Sequence, residues 1–84
     1  MGQKDDIQPF LDAFGRRVKK LRAERKLTQL DLADRTGMDI RQIQRIEGGD
    51  INTSIGNAYL IAKGLKVPLT DTFAIDDLSE IESE

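Results

Sequence analysis

Residues 28–49 read TQLDLADRTGMDIRQIQRIEGG and predict two short helices joined by a tight turn. Thr28 is a good N-cap because its hydroxyl can accept from the free amides of the first turn, and Asp31 places negative charge at the positive end of that helix. Gly37 ends the helix where a residue without a Cβ adopts the left-handed conformation at least cost. Asp39 can cap again, so the stretch is predicted to form a helix, a turn and a second helix.

The second of these helices carries an unusual row of long polar side chains. Ile43 and Ile46 are three residues apart and are predicted to point inward, which leaves the polar residues on the outer surface. Arg can donate two hydrogen bonds to guanine N7 and O6, and Gln can pair with adenine N7 and N6, so this chemistry suits the major groove of DNA. The predicted base-contacting residues are Arg41, Gln42 and Arg45, then Asp39 and Gln44 as weaker candidates, and Ile40 against a thymine methyl.

The same stretch resembles the Cro/repressor-type helix-turn-helix family, also called the xenobiotic-response-element family. The matching positions are Thr28-Gln29, Leu32-Ala33, Gly37, Ile43, Ile46-Glu47 and Gly49. With the flanking helices, the resemblance extends from about residue 14 to residue 73. It implies an all-α fold, a compact lambda-repressor-like bundle of five short helices with the helix-turn-helix at helices 2 and 3. It also implies a transcriptional regulator, usually a repressor, that binds palindromic operators in double-stranded DNA as a homodimer.

The resemblance also implies roles for residues outside the second helix. Arg22 and Glu47 match positions that form an ion pair between helix 1 and the end of the DNA-reading helix, and we assign this pair to architecture. Gln29 matches a glutamine that contacts a phosphate beside a helix N-terminus. The predicted phosphate-contacting residues are Gln29, Thr28, Arg17, Asn52 and Thr53.

Length and composition limit the function classes. The 84 residues are enough for one domain with a small core. The sequence has no Cys and no His, which excludes disulfides and the common zinc sites and removes the usual nucleophile and base of hydrolytic enzymes. We therefore expect no enzymatic activity, no metal and no cofactor. The chain lacks a long apolar run and an apolar signal core, so we expect no membrane association and a bacterial-type cytoplasmic protein held at the nucleoid through DNA.

The formal net charge of −2 is unfavourable for DNA binding, but the charge is segregated along the chain. Residues 15–52 hold ten basic and six acidic side chains, a net charge of +4, whereas residues 71–84 hold six acidic side chains and no basic one. The basic part therefore coincides with the two predicted helices, where phosphates would lie. The acidic tail leaves an alternative open, a protein-interaction module such as the antitoxin of a toxin–antitoxin pair.

The remaining organisation follows from the apolar spacing. We predict a flexible N-terminus over residues 1–8, a DNA-binding domain over residues 9–74 and an acidic tail over residues 75–84. Helix 1 is expected to run from about Pro9 to Arg25, because proline suits the first turn of a helix. The sequence leaves open whether the tail is a disordered solubilising end or a helical turn that binds a partner subunit.

Two further helices are expected after the predicted phosphate-contacting loop. Either Thr53 or Ser54 can cap helix 4, and a short helix 5 is expected from Pro68 to about Ala74. The predicted inward side chains of helix 4 are Ile55, Ala58, Ile61, Ala62 and Leu65. The candidates for a dimer face, each of which the sequence also allows in the core, are Leu60, Leu69, Phe73 and Ile75.

Overall fold

The computed structural model describes residues 3–75, with side chains from residue 7 onward. It contains the helices α1 Gln3–Glu24, α2 Gln29–Thr36, α3 Ile40–Glu47, α4 Ile55–Leu65 and α5 Leu69–Thr72. No strand occurs within this range, so the predicted all-α bundle of five helices is confirmed. Among these helices, none has both the length and the apolar character needed to span a bilayer.

Helices α2 and α3 begin and end as their capping residues predict. The Thr28 hydroxyl accepts from the Asp31 N–H at 3.0 Å, and the Asp31 carboxylate accepts from the Thr28 N–H at 2.8 Å, which forms a capping box. Hydrogen bonds from Thr28 to the Asp31 carboxylate, first from its backbone N–H and then from its side chain, hold the pKa of Asp31 below its ordinary value. Gly37 ends α2 in the left-handed conformation with φ 76°, and the Asp39 carboxylate accepts from the Arg41 N–H at 2.9 Å at the start of α3. The geometry of the helix-turn-helix is thus fixed largely by local interactions.

The core joins the inner faces of α1, α2, α3 and α4. Five of its side chains have no exposed surface: Val18, Leu32, Ile43, Ile61 and Leu65. Helix α1 approaches α3 very closely at Gly15, where a Cβ would clash with the carbonyl oxygens of Ile46 and Glu47. This packing holds α3 firmly along one side and leaves its other side outward.

Helix α1 begins earlier than the sequence predicts. It starts at Gln3, so Pro9 lies inside the helix, and the predicted start at Pro9 is wrong. The helix includes most of the segment that the sequence assigns to a flexible N-terminus. A proline inside a helix lacks the N–H for one helical hydrogen bond, and its ring crowds the carbonyl four residues earlier, but tertiary contacts can offset this cost. Here Gln8 Nε2 donates to the carbonyl of Gly49 at 2.8 Å and to Asp12 Oδ1 at 2.9 Å, which ties this part of α1 to the turn after α3.

Helix α4 is capped by Ser54, whose hydroxyl accepts from the Asn57 N–H at 3.0 Å. Four of the five predicted inward side chains of α4 are buried, but Ile55 is 67% exposed, so its prediction as a core residue is wrong. Ile55 is the first residue of the helix and lies at the edge of an open cleft, beyond the neighbouring helices that cover the later turns.

Helix α5 is shorter than predicted and begins after Pro68, which is its N-cap residue. It packs mainly against α1 and α4. Among the predicted dimer-face residues, Leu60 is exposed, whereas Leu69, Phe73 and Ile75 are partly buried against the core. The predicted acidic tail, apart from Ile75, lies outside the described residues.

Candidate nucleic-acid interface

Helix α3 presents its long polar side chains on the side opposite the core. Ile43 and Ile46 are 0% and 2% exposed, as predicted, and they anchor the helix. Arg41, Gln44 and Arg45 are exposed. The structure therefore places two guanidinium groups and an amide side by side on one short, firmly packed helix.

The other predicted base-contacting residues have less freedom. Gln42 is half-buried. Asp39 uses its carboxylate to cap α3, and Ile40 is half-buried with its side chain packed against the core. Base contacts by these three residues stay predictions, and they would use only part of each side chain.

The structure brings Arg22 and Glu47 together in a two-pronged ion pair between α1 and the end of α3. Arg22 Nε lies 2.7 Å from Glu47 Oε2, and Nη2 lies 3.0 Å from Oε1. The two side chains are only 13% and 4% exposed. Arg22 Nη1 also donates to the carbonyl of Leu27 at 2.7 Å, so the loop before α2 joins the same contact. The hydrogen bond to Glu47 raises the pKa of Arg22 against the opposing effect of burial.

Gln29 extends this ion pair toward the exposed side of α3. Its Nε2 donates to Glu47 Oε1 at 3.0 Å, and its Oε1 accepts from Gln44 Nε2 at 3.4 Å. Sequence spacing does not predict this network, because residues 29 and 47 lie 18 positions apart and no local periodicity relates them. The network restricts the orientation of the Gln29 amide and links the buried ion pair to an exposed side chain of the candidate interface.

The predicted phosphate-contacting residues do not all lie in one place. Thr28 is exposed at the start of α2, but its hydroxyl already serves the capping box. Arg17 Nε donates to the carbonyl of Asp71 at 2.8 Å, which holds that side chain on α5 rather than beside α2 and α3. Asn52 is exposed, whereas Thr53 is half-buried in the loop before α4. Phosphate contacts by these residues stay predictions, with Arg17 placed apart from the others.

The described residues contain no group of three or more His, Cys, Asp or Glu side chains placed to hold a metal ion.

Comparison with known proteins identifies the family. Residues 18–71 match the family described as Helix-turn-helix. An uncharacterized HTH-type transcriptional regulator from Archaeoglobus fulgidus is 36% identical over 61 residues, which cover 73% of this chain and 86% of that protein. An uncharacterized transcriptional regulator in the ATPase CF(0) region of Rhodospirillum rubrum is 40% identical over 60 residues, 71% of this chain and 56% of that protein.

Solved structures with the same fold include two restriction-modification controller proteins. The restriction-modification controller protein C.AhdI from Aeromonas hydrophila superposes with a TM-score of 0.74 at 32% identity, over 75% of this chain and 96% of that one. The controller protein C.Esp1396I superposes with a TM-score of 0.71 at 36% identity, over 75% and 82% of the two chains. The chain therefore belongs to the helix-turn-helix family, and the resemblance to Cro/repressor-type regulators that its sequence predicts is confirmed.

Proposed function

We propose that this protein is a transcriptional regulator that reads a specific DNA sequence in the major groove with α3. The observation that carries the proposal is the exposed set of Arg41, Gln44 and Arg45 on a helix whose opposite side is fully buried. Because the backbone of α3 is already fixed, hydrogen bonds to base edges require only the ordering of the side chains themselves. The relatives named as transcriptional regulators and controller proteins support the same reading.

Base recognition is assigned mainly to the two arginines. Each can bind guanine O6 and N7 with two hydrogen bonds, which are worth about 1–3 kcal/mol of discrimination against a wrong base. Gln42 and Gln44 are assigned to adenine or to a neighbouring base edge. The hydrogen bond from Gln44 to Gln29 would orient the Gln44 side chain. The N-terminus of α2 and the loop at Asn52 are assigned to phosphates, which position the helix and carry no sequence information.

The proposal includes a homodimer on a palindromic operator. An eight-residue helix is about 12 Å long, so one copy of α3 can read only about four base pairs. Two copies related by a two-fold axis would place two such helices about 34 Å apart in successive major grooves. Tyr59 and Leu60, which are 53% and 36% exposed on α4, are the candidate apolar contacts between copies. Occupation of an operator by such a dimer would repress transcription by excluding other proteins.

The test is selection from a random duplex library followed by sequencing, at two salt concentrations. We expect an enriched palindrome whose half-sites lie about one helical turn apart, with affinity that falls steeply as salt rises because phosphate neutralisation releases counterions. Enrichment of a single half-site would contradict the homodimer. No enrichment at either salt concentration would contradict sequence-specific binding altogether and favour the protein-interaction alternative.

A further inference from the structure

An open apolar cleft lies between α1, the loop before α4, α4 and α5. Its apolar walls are formed by Phe10, Leu11, Phe14, Ile55, Ala58 and Phe73, and its volume is about 230 Å³. The aromatic rings form one continuous wall, because the ring centroid of Phe73 lies 6.4 Å from that of Phe10 and 5.5 Å from that of Phe14. We call this the α4–α5 cleft.

Two of the described residues that line the cleft lack the partners that their chemistry favours. Ile55 stands at its edge with 67% of its surface exposed, although exposed large apolar side chains are unfavourable. Thr53 also lines the cleft, and its buried hydroxyl has no hydrogen-bond partner among residues 3–75. The volume is below the 300–1,000 Å³ that is typical of pockets for drug-sized ligands, so it suits one or two side chains of a peptide better than a cofactor.

The described residues end two positions after a residue that lines this cleft. Phe73 is part of the cleft wall, and the Ile75 N–H donates to the Phe73 carbonyl at 2.9 Å, which turns the backbone after α5. Ile75 itself packs against the core. Because an extended residue spans at most about 3.6 Å, the three residues from Ile75 to Leu78 can span at most about 11 Å. No long excursion of the chain is needed to bring Leu78 to the cleft.

The sequence of residues 76–84, DDLSEIESE, matches the chemistry of the cleft. Leu78 and Ile81 are its only large apolar residues, and their spacing of three would place them on one face of a helical turn. Its five acidic residues would then remain in solvent. We propose that residues 76–84 dock on the α4–α5 cleft of their own chain, with Leu78 against Ile55 and the aromatic wall. This docking does not depend on DNA binding.

The experiment uses the full 84-residue chain without DNA, so its outcome is independent of the proposed function. Methyl-labelled NMR should show nuclear Overhauser contacts between the Leu78 methyl groups and the rings of Phe10 or Phe73. Leu78→Asp should abolish these contacts and lower the melting temperature by about 5 °C relative to the matched variant Ser79→Asp. Both variants add one negative charge at neighbouring positions, so the difference between them reports the apolar contact.

Three results would overturn the proposal. The first is the absence of contacts between the Leu78 methyl groups and the rings in the wild-type chain. The second is an equal melting temperature for the Leu78→Asp and Ser79→Asp variants. The third is a contact seen only between differently labelled chains in a mixed sample, which would make a second copy the occupant of the cleft.

Discussion

Glu47→Ala removes the central acceptor of the ion pair and should destabilise the fold strongly. The carboxylate accepts from Arg22 Nε, Arg22 Nη2 and Gln29 Nε2, all within 3.0 Å, and its side chain is 4% exposed. The substitution leaves a largely buried guanidinium without its counterion, which typically costs about 3–5 kcal/mol. For a domain of this size, each kcal/mol lowers the melting temperature by about 4–8 °C, so we expect a decrease of at least about 12 °C.

The assay is thermal unfolding followed by circular dichroism, with urea unfolding as a second measure. Arg41→Ala on the exposed side of the same helix is the matched control, and it should change the stability by less than about 0.5 kcal/mol. The double variant Arg22→Met/Glu47→Leu should be much more stable than Glu47→Ala, because it removes the unpaired charge as well as the pair. An unchanged melting temperature for Glu47→Ala would refute the assignment of this pair to architecture.

Two further predictions concern stability. Gly15→Ala should lower the free energy of unfolding in urea by about 1–3 kcal/mol, because its Cβ would meet the backbone of α3. Gly56→Ala is the control: only the Ser54 hydroxyl lies near its Cβ, at 3.7 Å, so this variant should raise the free energy of unfolding by about 0.5–1 kcal/mol. Equal effects of the two variants would contradict the close α1–α3 approach. The variant Asp31→Asn tests the capping box. Because the pKa of Asp31 is lowered in the folded protein, its ionised carboxylate stabilises the fold above about pH 4. This stabilisation is lost as the pH falls through the lowered pKa. The variant should therefore melt below the wild type at pH 7, with a difference that shrinks toward pH 2, and a difference independent of pH would refute the role of the carboxylate.

The helix-turn-helix could be predicted from the sequence because its determinants are local. Thr28, Asp31, Gly37 and Asp39 act on backbone groups within three or four residues of themselves, so their effects follow from spacing alone. The inward direction of Ile43 follows in the same way from helical periodicity.

The features that the sequence did not predict depend on contacts between distant residues. The early start of α1 is supported by the bond from Gln8 to Gly49, across 41 positions, and Arg17 is held by Asp71 across 54 positions. The exposure of Ile55 depends on where the neighbouring helices end, which the periodicity of α4 does not record. The link from Glu47 through Gln29 to Gln44 likewise requires the helices to be packed first.

The most direct test of α3 as a base-reading surface compares the affinity of Arg41→Ala and Arg45→Ala with that of the wild type, on the selected operator and on a scrambled duplex. Base contact by each arginine predicts a loss of about 1–3 kcal/mol on the operator, a relaxed preference at one base position and a much smaller loss on the scrambled duplex. An equal loss on both duplexes would mean that the arginines contact only phosphates, and it would contradict base readout by α3.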